Sequence, residues 1–160
     1  MLTTIPEVLV IAVHLRQKST EAELAELRRQ ISAVMEQKHR QSRFQPVAPL
    51  IPCPLLADNL CSVYEVRPLV CRAWHSTDVH RCQRPNGLPA PNPAAMQLFA
   101  SLIRGLRMAL ADQNLENHEV ELIAALDIAL NTPQVTRRWL AGESLFTPAA
   151  APPVVRRLAA

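Results

Sequence analysis

The chain has 160 residues, room for one domain with a buried core or for one domain and a tail. Hydrophobic residues make up 49%, charged residues 19% and aromatics only 4%, which excludes a disordered chain and leaves the core to Leu, Ala, Ile and Val, a mixture that favours helices over sheet. The formal net charge of +3 is too small to argue a nucleic-acid binder.

The apolar run at 8–13 is too short to span a membrane and lacks the basic leader of a secretion signal. The expected compartment is therefore the cytoplasm, where thiols stay reduced, with no membrane partner. Residues 5–17 read as a helix, with Pro6 in its first turn and Glu7 near its positive end. Thr20 and Glu23 form a capping box for a second helix, along which Leu24, Leu27, Ile31, Val34 and Met35 recur at helical spacing. Its basic end, Lys38-His39-Arg40-Gln41-Ser42-Arg43, reads as a solvated helix terminus with cations on the negative pole. Pro46, Pro49, Pro52 and Pro54 then mark an extended connection.

All four cysteines fall in the next stretch, spaced C-x7-C-x9-C-x10-C at Cys53, Cys61, Cys71 and Cys82. Clustered thiols without an export signal point to metal ligation or redox chemistry; disulfides need an oxidising compartment, and ordinary buried thiols would be scattered. Four thiolates can close a tetrahedral zinc site or hold an iron–sulfur cluster. Either carries a formal charge of roughly −2, for which Arg67, Arg72 and Arg81 are the nearby counter-charges. Ser62-Val63-Tyr64-Glu65 reads as a capping box that places Cys61 just before a short helix, and Pro68 restarts the chain one turn ahead of Cys71. His75 and His80 are alternative imidazole ligands. Tyr64 and Trp74 are expected to shield the site from solvent.

Residues 83–92, with four prolines or glycines, separate this stretch from three further helices. The first starts at Asn92-Pro93 and carries the stripe Phe99, Leu102, Ile103, Leu106, Leu110; the second covers 117–130; the third runs from Thr132-Pro133 to near Ala141, with Gly142 as its stop. These helices are expected to pack together. His14 and His118 read as surface or helix-end residues. The fold class implied is mostly α, with helices around an irregular, metal-organised segment at 52–83, a domain at 1–146 and an Ala/Pro-rich tail at 147–160 that frays. No phosphate loop, dinucleotide fingerprint, H-E-x-x-H or G-x-S-x-G occurs, and Asp58, Glu65 and Asp78 form no acid and base pair, so no catalytic constellation emerges.

The string Cys53-Pro54-Leu55-Leu56, then Cys61-Ser62-Val63-Tyr64-Glu65-Val66-Arg67-Pro68-Leu69-Val70-Cys71-Arg72, with Cys82 later, resembles the YkgJ-type cysteine-cluster family. Its pattern is CP-[FL]-L, C-x-[IV]-Y-x-x-R-P-x-x-C-R and a further cysteine. The segment Trp139-Leu140-Ala141-Gly142-Glu143 with Phe146 is also similar to the tail of some members. The resemblance implies a zinc- or iron-chelating domain; an iron–sulfur oxidoreductase role is an earlier assignment for the family. One branch resembles flagellin lysine methylases, in which an iron–sulfur cluster accompanies methyl transfer, but this chain has no glycine-rich cofactor loop to match. Family members also carry an N-terminal C-x-x-C-C cluster; the opening Met1-Leu2-Thr3-Thr4-Ile5-Pro6-Glu7 resembles the segment immediately after that cluster.

The expected function is therefore metal binding, zinc or iron, through Cys53, Cys61, Cys71 and Cys82, with Arg67 and Arg72 offsetting the anionic site. An iron–sulfur centre with a redox or methyl-transfer role is the alternative, favoured by any substrate-sized pocket beside the thiols.

Overall fold

The first helix begins where Thr4, Pro6 and Glu7 together satisfy and pre-form its opening turn, and most of the fold is built on it. The computed structural model describes residues 1–44, 51–83 and 90–149, by backbone alone at 42–44, 82 and 83. These residues are mostly helical, 62% helix against 9% strand, as the composition predicts.

Strand β1 (Leu2–Thr4) leads into α1 (Ile5–Lys18), and α2 (Glu21–Phe44) comes after a short break. The Thr20 capping box is present: the Glu23 carboxylate accepts from the Thr20 N–H and hydroxyl, and the Thr20 hydroxyl accepts from the Glu23 N–H. The cysteine stretch holds a two-stranded hairpin, β2 (Leu56–Ala57) and β3 (Leu60–Cys61), a single 3-10 turn at Tyr64–Val66, and two five-residue helices, α3 (Leu69–Ala73) and α4 (Val79–Gln83). Then come α5 (Pro93–Asp112), β4 (Glu119–Glu121), α6 (Leu122–Asn131) and α7 (Val135–Leu140).

The core lies between α1 and α6. Ile5, Val8, Ile11 and Ala12 on one face meet Leu122, Leu126, Ala129 and Leu130 on the other, with Leu24 and Ile31 of α2 and Trp139 of α7 closing the sides. Arg16 donates to the carbonyls of Ala129 (2.6 Å) and Leu130 (3.3 Å), placing a cation on the negative end of α6. Leu55 and Val63 insert into the same core, which roots the cysteine stretch in the domain.

A half-buried carboxylate fixes that stretch more tightly. Glu7 accepts from the Thr3 hydroxyl (2.7 Å), the Thr4 N–H (3.0 Å) and the Thr4 hydroxyl (2.8 Å), and its other oxygen accepts from the Leu69 N–H (2.6 Å). The Leu69 N–H is one of the donors that the first turn of α3 cannot satisfy internally. Glu7 thus joins the start of α1 to the start of the helix that carries Cys71. Burial alone would raise its pKa, but these hydrogen bonds outweigh burial and hold it below the ordinary carboxylate range.

Four local expectations change. The Ser62 capping box does not form: the Ser62 hydroxyl donates to the Leu55 carbonyl (2.9 Å), and the 3-10 turn starts from Val63 without a side-chain cap. The hairpin claims Ser62 first, because Asp58 (φ 51°) and Asn59 (φ 63°) form a two-residue turn with both residues left-handed, the geometry a tight antiparallel hairpin requires. The helix expected at 117–130 starts at Leu122, because Glu119–Glu121 pairs antiparallel with β1 instead, and Glu121 becomes the N-cap of α6. Helix α5 keeps its Asn92 cap, but of its stripe only Ile103 and Leu110 are buried, while Leu98, Leu102 and Met108 are exposed. It lies against α3, a helix too short to cover it. The tail is tied at its start, where the Ala149 N–H donates to the Glu119 carbonyl (2.9 Å); the expectation for 150–160 lies outside the described residues.

By length and composition α5 is the one described helix apolar enough to cross a membrane, with a mean hydropathy of 1.2. Arg104 and Arg107 at its middle favour a surface helix, since charges at mid-span are costly in hydrocarbon.

The packing of this core sets two stability tests. Leu126→Ala should cost about 2–5 kcal/mol in a urea unfolding titration, because the site is fully buried between two helices. Glu7→Gln should cost about 1–3 kcal/mol at neutral pH by leaving donors unpaired. Because the folded pKa of Glu7 is depressed, its contribution is complete above the ordinary carboxylate range and is lost as pH falls through the folded value. The stability of E7Q should accordingly fall less steeply with acid than that of the parent.

Candidate metal centre

Three of the four cysteines reach one cavity by three different local routes. The Cys53 carbonyl accepts from the Leu56 N–H (3.1 Å), folding the chain back so that the hairpin stands over it. Cys61 sits in β3 directly opposite Leu56, and Cys71 sits in the middle of α3. Cys53 is exposed, while Cys61 and Cys71 are partly buried. All three line a cavity of about 650 Å³, together with Met1, Lys38, Arg67 and Glu121. Cys82 lies in the backbone of α4, and its side chain is outside the described ones.

The thiols share this cavity without converging. Among the described residues, no three Cys, His, Asp or Glu side chains stand in ligating arrangement. They are nevertheless close enough to sense one another. Although Cys53 is exposed as a residue, partial desolvation of its thiol by the surrounding atoms pushes it up; the Leu55 N–H opposes this, Cys61 adds to it, Lys38 again opposes it and Glu121 adds to it. Burial also pushes Cys71 up, reinforced by Cys53 and Cys61 and opposed by Arg67.

The charged rim is organised by Glu121. One oxygen accepts from Lys38 Nζ (2.8 Å) and from the Met1 nitrogen (3.1 Å); the other caps α6 by accepting from the Ile123 and Ala124 N–H groups. Burial would raise its pKa, but Lys38 and the capping donors outweigh that and hold it low. Lys38 is thus a rim residue and not the freely solvated helix end that the sequence predicts.

The site-supporting residues divide. Arg67 lines the cavity, packs over the Tyr64 ring at 4.1 Å, and keeps its Nε buried with no hydrogen-bond partner among the described residues. Arg72 instead donates to the carbonyls of Arg67 (3.1 Å) and Glu65 (2.7 Å), which braces the bend between the 3-10 turn and α3. Tyr64 and Trp74 are 59% and 52% exposed and do not line the cavity, so neither shields it as expected; Tyr64 acts through Arg67. His75 and His80 are exposed and outside the lining, as is Arg81.

Sequence reasoning missed Met1, Lys38 and Glu121, each of which reaches the cysteines from a distant part of the chain. It recognised Glu7 only as a helix-start residue, although Thr4-Ile5-Pro6-Glu7 has the capping-box spacing.

Because burial raises Cys53 and Cys71, the thiolate fraction at neutral pH is small. Alkylation by iodoacetamide, followed by mass spectrometry, should be slow at pH 7 and should accelerate only above the ordinary thiol range. Fast neutral labelling of both would contradict that environment. Comparison with family models, with curated proteins and with solved structures gives no match to this chain, and the chemistry of the cavity rests on its own side chains.

Proposed function

We propose that this protein binds a thiophilic metal through Cys53, Cys61 and Cys71, with Cys82 as a fourth thiol, in a structural or metal-handling role. The observation that carries the reading is that three cysteines from a loop, a strand and a helix open into one cavity beside a cationic side chain. Thiolates crowded together repel one another, and a bound cation reverses that cost. Arg67, whose Nε has no hydrogen-bond partner among the described residues, would offset the negative charge of a thiolate–metal assembly. Zinc and iron are the ions that suit such a donor set and that the YkgJ-type resemblance implies. Ligation through thiolates would need a reducing compartment such as the cytoplasm.

A second reading is an iron–sulfur centre with an oxidoreductase or methyl-transfer-associated role. The size of the cavity favours it: about 650 Å³ beside the thiols is within the range of small-molecule sites.

Anaerobic purification with metal and sulfide analysis separates the two. A colourless protein with about one zinc per chain supports the first, and a brown protein with iron and acid-labile sulfide the second. In either case Cys61→Ser and Cys71→Ser should lose the metal and several kcal/mol of stability, since metal binding is coupled to folding. Full metal retention by both variants would show that these thiols are not ligands.

A further inference from the structure

The Cys71 sulfhydryl is turned toward the thioether of Met1, with Sγ 3.3 Å from Sδ. Two sulfurs bound to one tetrahedral ion at thiolate distances stand about 3.7 Å apart. This pair is therefore within a few tenths of an ångström of a shared ligating geometry, across 70 residues of sequence. The position of Met1 is also fixed on both sides of its Cα. Its nitrogen meets Glu121 (3.1 Å), and its carbonyl accepts from the Leu122 N–H (3.0 Å), so the backbone is held while the unbranched side chain reaches over the cavity. Met1 is also 55% exposed, which leaves a path for an ion to enter.

From this we propose that Met1 supplies a further sulfur donor to the cysteine cavity and that the resulting thiolate and thioether set takes a soft monovalent ion of the copper(I) class. The inference rests on the thiolate reading above and extends it. Thiolates alone suit zinc, iron–sulfur clusters and copper(I) alike; a neutral, polarizable thioether beside them tips the set toward the softest of these, copper(I). Binding releases thiol protons and changes no oxidation state, so copper must arrive already reduced. Arg67 on the rim would offset part of the negative charge left by three thiolates on a monovalent ion.

The test uses the full chain and Met1→Leu, both produced behind a cleavable leader so that position 1 can be exchanged. Each is titrated anaerobically with copper(I) against a chromogenic copper(I) chelator, and separately with zinc. The parent should hold one copper(I). M1L should hold it about tenfold or more weakly, the scale on which even an outer partner alters metal affinity. Its zinc affinity and melting profile should be unchanged. In selenomethionine-substituted protein, X-ray absorption at the selenium edge should show a selenium–copper scatterer that disappears in M1L. Equal copper(I) retention by both proteins, or a selenium–copper signal persisting in M1L, would overturn the role of Met1 while leaving the thiolate site intact. An equal fall in both metals would also overturn it, by showing that position 1 acts on the whole pocket. Failure of the parent to bind copper(I) would overturn this inference; absence of zinc and iron as well, in the metal analysis above, would remove the thiolate reading with it.

Discussion

Four hydrogen bonds converge on the Glu7 carboxylate, three from its own helix start and one from Leu69 on the far side of the cysteine stretch. The rest of the site depends on that convergence. A helix of five residues, such as α3, is too short to be stable alone, since nucleation costs more than one turn of hydrogen bonds returns. Its first turn is held by Pro68, which fixes the backbone of its N-cap, and by the Glu7 carboxylate, which takes an otherwise orphaned donor. The position of Cys71 is therefore set by a residue 64 places earlier in the chain, on an element that belongs to the hydrophobic core.

Glu121 repeats the arrangement beside the cysteines. It caps α6 with one oxygen and gathers Lys38 and the Met1 nitrogen with the other. Both carboxylates are pulled below their ordinary pKa by donors in spite of burial, while Cys53 and Cys71 are pushed up. The difference comes from hydrogen bonding: each carboxylate accepts several donors, whereas at Cys53 the Leu55 N–H alone supports the anion, aided only by the distant charge of Lys38. The carboxylates are already neutralised, whereas Cys53 and Cys71 are held protonated, so a metal at the proposed site would have to displace their protons and would supply the positive charge their anions lack.

Local signals were sufficient wherever a neighbour within four residues does the work. The Thr20–Glu23 box, the Asn92-Pro93 start and the Gly142 stop all operate at that range, and each is present in the fold. Expectations changed where a distant partner outcompeted a local one. Glu119–Glu121 left its predicted helix for β1, and Ser62 left its predicted cap for Leu55. The stripe on α5 is genuine, but periodicity states only that a face is apolar and not that something large enough covers it. The cysteines were legible as a group because they are close in sequence. Met1, Lys38 and Glu121 were not, because each meets the site across tens of residues and leaves no periodic or spaced trace.

The two arginines of R-P-x-x-C-R show how a compact motif can encode two unrelated physical tasks. They stand only five positions apart, yet Arg67 presents its guanidinium to the cavity and Arg72 turns away to hold two backbone carbonyls. The division comes from chain direction. Arg67 precedes the proline that ends the 3-10 turn, so its side chain projects from the bend over the Tyr64 ring; Arg72 lies one helical turn beyond Pro68 and reaches back along α3 to the carbonyls that the bend exposes. Charge reversal at Arg72 therefore removes a brace of the backbone that carries Cys61 and Cys71, whereas at Arg67 it alters the potential at the sulfurs. Sequence spacing alone treats the two cations as equivalent counter-charges, and only the path of the backbone between them separates electrostatics from architecture.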